Sequence, residues 1–134
     1  MTYILDASAM IAWLRGEQGA DVVDSILLDP SHRCLAHSIN LCEVYYDAYR
    51  HGGQSIAQST LRDLESAGIV AREEMSPAFW QAAGALKAMR RRISLADCFA
   101  VTLARLEGAT FLTSDHHEFD AFAAEGHYQI TFIR

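Results

Sequence analysis

Basic charge is scarce in this chain. It has a single lysine, Lys87, beside ten arginines, and 17 acidic residues leave a formal net charge of −6. A broad electrostatic grip on nucleic acid needs a basic face, so that mode of binding is excluded. Nucleic acid held through metal ions and a few arginines is not. Cysteine is also sparse: Cys34, Cys42 and Cys98 are odd in number and lie inside apolar segments. They read as reduced, buried small hydrophobes, not as a disulfide framework. No Cys-x-x-Cys or Cys/His pair has the spacing of a zinc site. Only two prolines occur, with no low-complexity tract and no internal repeat. No apolar run approaches the roughly 20 residues of a membrane span. The N-terminus lacks the charged-then-apolar layout of a secretory signal, so a cytoplasmic protein is expected. A glycine-rich phosphate loop of the Walker type is absent as well. What remains is composition suited to one globular domain over residues 1–134, long enough to bury a real core.

Short apolar runs alternate with helical periodicities. Strands are expected at 3–5, 34–36, 69–71, 110–113 and 128–133. Between them, helices are expected from Ala7 to Arg15, Ala20 to Leu28, Ser38 to a stop at Gly52-Gly53, Ile56 to Ser66, from Ser76-Pro77 onward, and Ser94 to Glu107. The helix after Ser76-Pro77 carries an apolar stripe of Phe79, Trp80, Ala83 and Leu86. This alternation implies a parallel sheet of about five strands covered on both faces, a three-layer α/β/α fold. Ligands collect at the carboxyl ends of the strands in such sheets.

Four acids stand out: Asp6, Glu43, Asp97 and Asp115. Asp6 ends the run Tyr3-Ile4-Leu5, Asp115 follows Phe111-Leu112-Thr113-Ser114, and Asp97 sits within Leu95-Ala96-Asp97-Cys98-Phe99-Ala100-Val101. A buried carboxylate is costly unless a hydrogen bond, a cation or a metal compensates it. Each has a structural alternative. Asp97 completes a Ser94-x-x-Asp97 capping box, although its helix is apolar all round, which predicts a first turn covered by protein. Asp6 and Asp115 each fit the role of a cap after a strand. Glu43 shares a helical stripe with Asn40 and Asp47, the pattern of a solvated face. Ser8, Thr113 and Ser114 are hydroxyls placed to orient a carboxylate, a water or a phosphate oxygen, or to serve as ordinary caps. His116 and His117 are adjacent, so at most one can face the same site. Arg90-Arg91-Arg92 is the only basic run, readable as a solvated turn, a phosphate contact or a docking point for an acidic segment.

Taken in order, four motifs resemble the PIN-domain ribonucleases: Tyr3-Ile4-Leu5-Asp6-Ala7-Ser8-Ala9, Ser38-Ile39-Asn40-Leu41-Cys42-Glu43-Val44, Ile93-Ser94-Leu95-Ala96-Asp97-Cys98-Phe99-Ala100 and Phe111-Leu112-Thr113-Ser114-Asp115. The length and the Ser-Leu-Ala-Asp form of the third motif look most like VapC toxins of bacterial toxin–antitoxin pairs. Ala7 departs from the threonine or serine that relatives often carry, while Ser8 keeps the hydroxyl. The resemblance implies Mg²⁺ dependence (Mn²⁺ as substitute) and cleavage of RNA, whether tRNA, rRNA or mRNA, by metal-activated water. It implies Asp6 and Asp97 on the principal metal, with Glu43 and Asp115 on a second metal or in the outer shell. Asp120 is a further acid expected to support Asp115. A VapB-like antitoxin and a homodimer are the implied partners, the antitoxin placing a basic side chain in the carboxylate pocket; Trp13-Leu14 and Tyr45-Tyr46 are readable as a groove for it, or more simply as core packing. The rival from another class is a catalytically idle protein- or RNA-binding module, against which the intact acid set argues. A receiver-like phosphoacceptor fails on Ala7 and the lone Lys87, and an Asp-x-Asp phosphatase fails on Ser8.

Overall fold

The computed structural model describes residues 1–134. Eleven elements follow in order: β1 (Thr2–Leu5), α1 (Ala7–Arg15), α2 (Ala20–Leu28), β2 (Arg33–His37), α3 (Ser38–Ser66), β3 (Ile69–Arg72), α4 (Pro77–Met89), α5 (Leu95–Glu107), β4 (Thr110–Thr113), α6 (His116–Ala124) and β5 (Ile130–Phe132). All five strands are parallel, in the order β3-β2-β1-β4-β5. The expected PIN-like α/β/α arrangement is therefore the observed one.

Strand alternation divides the core into two layers. Ile4, Leu35 and Phe111 point to one face, where they meet Phe79, Ala83 and Leu86 of α4, Cys98 and Val101 of α5, and Phe119 and Phe122 of α6. Leu5, Cys34, Ala36 and Leu112 point to the other, against Met10 of α1, Val23 of α2 and Val44 and Leu64 of α3. The inner strands β1, β2 and β4 are buried on both sides because helices cover both faces there, whereas the edge strands β3 and β5 leave Val70 and Thr131 exposed.

The chain leaves β1 toward β2 in one direction and reaches β4 in the other. Leu5 pairs with Leu112, and the Asp6 amide donates to the Leu112 carbonyl at 3.2 Å. The switch point thus lies between β1 and β4, and it brings the segments after both strands together at the carboxyl edge.

The two helices expected on either side of Gly52-Gly53 are present: α3 is two helices joined at Gly53, whose φ of 83 and ψ of −174 are not helical. Several other local expectations are corrected. The cap of α3 is His37, whose Nδ1 accepts from the Ile39 amide, whereas Ser38 lies inside the helix and its hydroxyl donates to the Arg72 carbonyl. Residues His116–Ala124 form a helix that was not expected, and β5 is shorter than its apolar run. Cys42 is exposed, unlike Cys34 and Cys98. Trp80, Leu95 and Leu106 are also exposed, so neither α4 nor α5 is covered all round. No helix is long and apolar enough to cross a membrane.

Candidate active site

Asp6 follows β1 and caps α1. Its carboxylate is buried and densely held: Oδ1 accepts from the Ala9 amide (2.8 Å) and the Ser8 hydroxyl (2.7 Å), and Oδ2 accepts from the Thr113 hydroxyl (2.6 Å). Burial nonetheless pushes the carboxyl up to about 6, against those hydrogen bonds and helped by the charge of Asp115. A carboxylate offers about four acceptor positions, so three bonds leave capacity for one more.

Thr113 and Ser8 join the two strand ends. The Thr113 hydroxyl oxygen accepts from the Asp115 amide at 3.0 Å, and Ser8 Oγ accepts from the Ser114 amide at 3.0 Å. Of the expected hydroxyls, Ser8 and Thr113 bind Asp6 directly; Ser114 contributes its backbone.

Asp97 enters from the first turn of α5. It is 6 % exposed, and its Oδ1 accepts from Asn40 Nδ2 at 3.2 Å. Burial and then the charges of Asp6, Glu118, Glu43 and Asp115 push its carboxyl up to about 9. Acids from the end of β1, from α3, from α5 and from the β4–α6 junction are thus near enough for their charges to act on Asp97. Glu43 is half-buried and its carboxyl is raised by burial, with Asn40 opposing. Asp115 caps α6; burial pulls its carboxyl upward, but hydrogen bonds from Glu118 outweigh this and hold it below the usual range.

Two members of the pocket were not anticipated. Asn40 is fully buried, so the stripe shared with Glu43 faces protein and acids instead of water. Glu118 is half-buried beside Asp115, and burial followed by its hydrogen bond to Asp115 pushes it up to about 7. The spacing Asp115-x-x-Glu118 before Phe119 is a helix-start signature that could have revealed both α6 and this side chain.

Other expected contributors lie elsewhere. Asp120 is a correction: it is exposed, one turn beyond, and binds His116 Nδ1 at 2.7 Å, while Glu118 takes the place beside Asp115. The other ring nitrogen of His116 meets the Arg134 carbonyl at 2.7 Å, so neither nitrogen is free for the pocket. Arg90 is tied to Glu125 at 2.6 Å and lies over the Phe122 ring. Arg91 and Arg92 are exposed in the turn that leads into Ser94 and α5.

The residues present fit a hard divalent cation in donor chemistry. They are carboxylates that repel one another, and the buried Asn40 Oδ1 has no hydrogen-bond partner. The pocket is not a closed cage, since no three acidic, histidine or cysteine side chains stand together at ligand spacing.

A parallel α/β domain with a carboxylate pocket at its switch point is the class that fold and site define. Comparison places it further: the chain belongs to the PIN domain family, whose model matches residues 3–125. Among solved structures, it is similar to a toxin–antitoxin complex from Klebsiella pneumoniae, with 17% identity, a TM-score of 0.74, and 98% of each chain covered. It is similar to VapBC2 from Rickettsia felis bound to a promoter DNA fragment, with 17% identity, a TM-score of 0.72 and 98% of each chain covered. It is also similar to the sarcin–ricin-loop-cleaving toxin VapC20 of Mycobacterium tuberculosis, with 14% identity and a TM-score of 0.69 over 92% of this chain and 95% of that one. At such identities the likeness is one of fold. No curated protein matches the chain.

Proposed function

We propose that this protein is a divalent-metal-dependent endoribonuclease and the toxin of a VapBC-type pair, with Asp6, Glu43, Asp97 and Asp115 as its catalytic carboxylates. The observation that carries this reading is Asp97: a buried acid on which the charges of four others act, with Asn40 the only side chain donating to it. Such a group is either protonated or neutralised by a cation, and hard oxygen donors select Mg²⁺ or Mn²⁺. Bound there, the ion supplies Lewis acidity toward a phosphate oxygen and lowers the pKa of water.

The chain's own residues supply position. Asp6 and Asp97 would hold the principal ion, with Glu43 and Asp115 serving a second ion or its waters. Ser8 and Thr113 donate to Asp6 and fix its orientation, and Asn40 does the same for Asp97. Arg91 and Arg92 stand at the entrance to α5, suited to contact phosphates flanking the scissile bond. A VapB-like antitoxin and a homodimer are part of the same proposal. The antitoxin reading is supported by the toxin–antitoxin complexes among the similar structures.

The test compares wild type with Asp97→Asn on an RNA pool, with Mg²⁺ and with excess EDTA. Wild type is expected to cleave only with Mg²⁺. Asp97→Asn should lose at least the roughly 10–100-fold that removal of an outer-sphere partner costs. Equal cleavage by both proteins refutes the role of Asp97. Neither cleavage nor Mn²⁺ binding by wild type would favour an idle binding module, a reading to which the open spacing of the donors lends itself.

A further inference from the structure

Two helices border the acidic pocket, and both open on the same device. α5 begins at Ser94-Leu95-Ala96-Asp97 and α6 at Asp115-His116-His117-Glu118. In a complete capping box the cap side chain accepts from the amide three residues on. The acid at that position then turns back to accept from the amide of its own cap.

Only the first half of each box is made. The Asp97 amide donates to Ser94 Oγ at 3.2 Å, and the Glu118 amide donates to Asp115 Oδ1 at 3.0 Å. The return halves are redirected. The Asp115 amide is taken by Thr113 Oγ1, so Glu118 does not accept from the amide of its own cap. Glu118 Oε1 instead accepts from the Ser94 amide, across from α6 to α5. With that amide satisfied from outside, the Asp97 carboxylate accepts from Asn40 and faces the other acids.

We infer that Glu118 is a positioning residue that keeps the Asp97 carboxylate in the pocket by occupying the amide Asp97 would otherwise cap. A part-buried amide without an acceptor is unfavourable, and the acceptor a capping box supplies for the Ser94 amide is Asp97, three residues on. Remove the reach of Glu118 and the box in α5 closes on itself, drawing Asp97 away from Asp6. The consequence for metal binding rests on the proposed function; the exchange of hydrogen bonds does not.

The test uses the full chain and three variants: Glu118→Gln keeps an oxygen acceptor at full reach, Glu118→Ala removes it, and Glu118→Asp keeps the charge but shortens the reach. In metal-free protein labelled with ¹³C and ¹⁵N, scalar coupling across hydrogen bonds reports the acceptor of the Ser94 amide. Wild type and Glu118→Gln are expected to couple to the side-chain carbonyl carbon of position 118. Glu118→Ala and Glu118→Asp should couple to the Asp97 carboxyl carbon, and Glu118→Asp serves alone if the alanine variant does not fold. By calorimetry, Mn²⁺ affinity should stay within about 3-fold for Glu118→Gln and fall about 10-fold or more for the other two. Coupling to Asp97 that never appears overturns the inference. So does an equal loss of Mn²⁺ affinity in Glu118→Gln and Glu118→Ala, which would make Glu118 a ligand through its charge. Wild type that binds no Mn²⁺ counts against the proposed function alone, and the coupling still decides the role of Glu118.

Discussion

Asp6 and Asp97 give the metal-free protein a definite response to pH. Both carboxyls are pushed above the ordinary 3.8, to about 6 and about 9, first by burial; the charges of neighbouring acids add to this strongly at Asp97, while hydrogen bonds oppose it at Asp6. A carboxyl with a raised folded pKa binds its proton more tightly in the native state than in the unfolded chain. Stability then falls as pH rises between the two values. Glu43, Glu118 and His116 are also raised and act in the same direction. Asp29 and Asp115 are lowered, and what they contribute is lost only at pH below about 4. In EDTA the Tm should therefore decline from about pH 5 to about pH 9, and saturating Mn²⁺ should flatten the upper part of that decline. A Tm in EDTA that climbs across this range would mean that the acids do not share a pocket. The sequence made these residues legible unequally. Asp6, Asp97 and Asp115 stood out because their neighbours are apolar. Glu43 did not, since its stripe with Asn40 and Asp47 has the periodicity of a solvated face. Which face of α3 meets the pocket depends on α5 packing beside it, and a helical wheel contains no such neighbour.

The elements themselves were readable wherever local chemistry and tertiary environment agree. Ser76-Pro77 starts α4 and Gly108 ends α5, each doing in the fold what its backbone preference dictates. The failures mark disagreements. The segment His116–Ala124 has only Phe119 and Phe122 as large buried anchors, too few for a convincing period, and its helix is held by Phe119 against Phe111 of β4 and Phe122 against Tyr128. Gly52-Gly53, by contrast, reads as a terminator and acts as one: Gly53 leaves helical geometry, and the second helix of α3 starts beyond it. Gly53→Ala distinguishes two opposing effects there. Helix propensity alone favours alanine by about 1 kcal/mol. The φ of 83 belongs to a region closed to alanine at a cost of about 1–3 kcal/mol, and nothing within 4 Å would meet the new Cβ, so the penalty is conformational and not steric. Net destabilisation of up to about 2 kcal/mol is expected, read as a lowered urea midpoint with unchanged m. Stabilisation would show that α3 can straighten without loss.

Across the whole molecule, the acidic balance limits how RNA can be held. Lys87, the only lysine, donates to the Arg91 and Ile93 carbonyls and so shapes the turn before α5. Arg15, Arg33, Arg72, Arg90 and Arg134 are each paired with acids. Near the pocket this leaves Arg91 and Arg92, a footing for about two phosphates. Each phosphate neutralised on a single strand contributes about 0.7 to the slope of log affinity against log salt, so a slope near −1.4 is expected. The measurement suits Asp97→Asn with a short single-stranded RNA in EDTA, where cleavage and metal bridging are both removed. Replacing Arg91 and Arg92 together by alanine should weaken binding at low salt and bring the slope close to zero. A slope of about −4 or steeper would require a basic surface that this chain lacks as a monomer, pointing to phosphates shared across a second subunit. A slope unmoved by the double substitution would place the RNA away from the α5 entrance, and the acids would then be working on a strand held by other contacts.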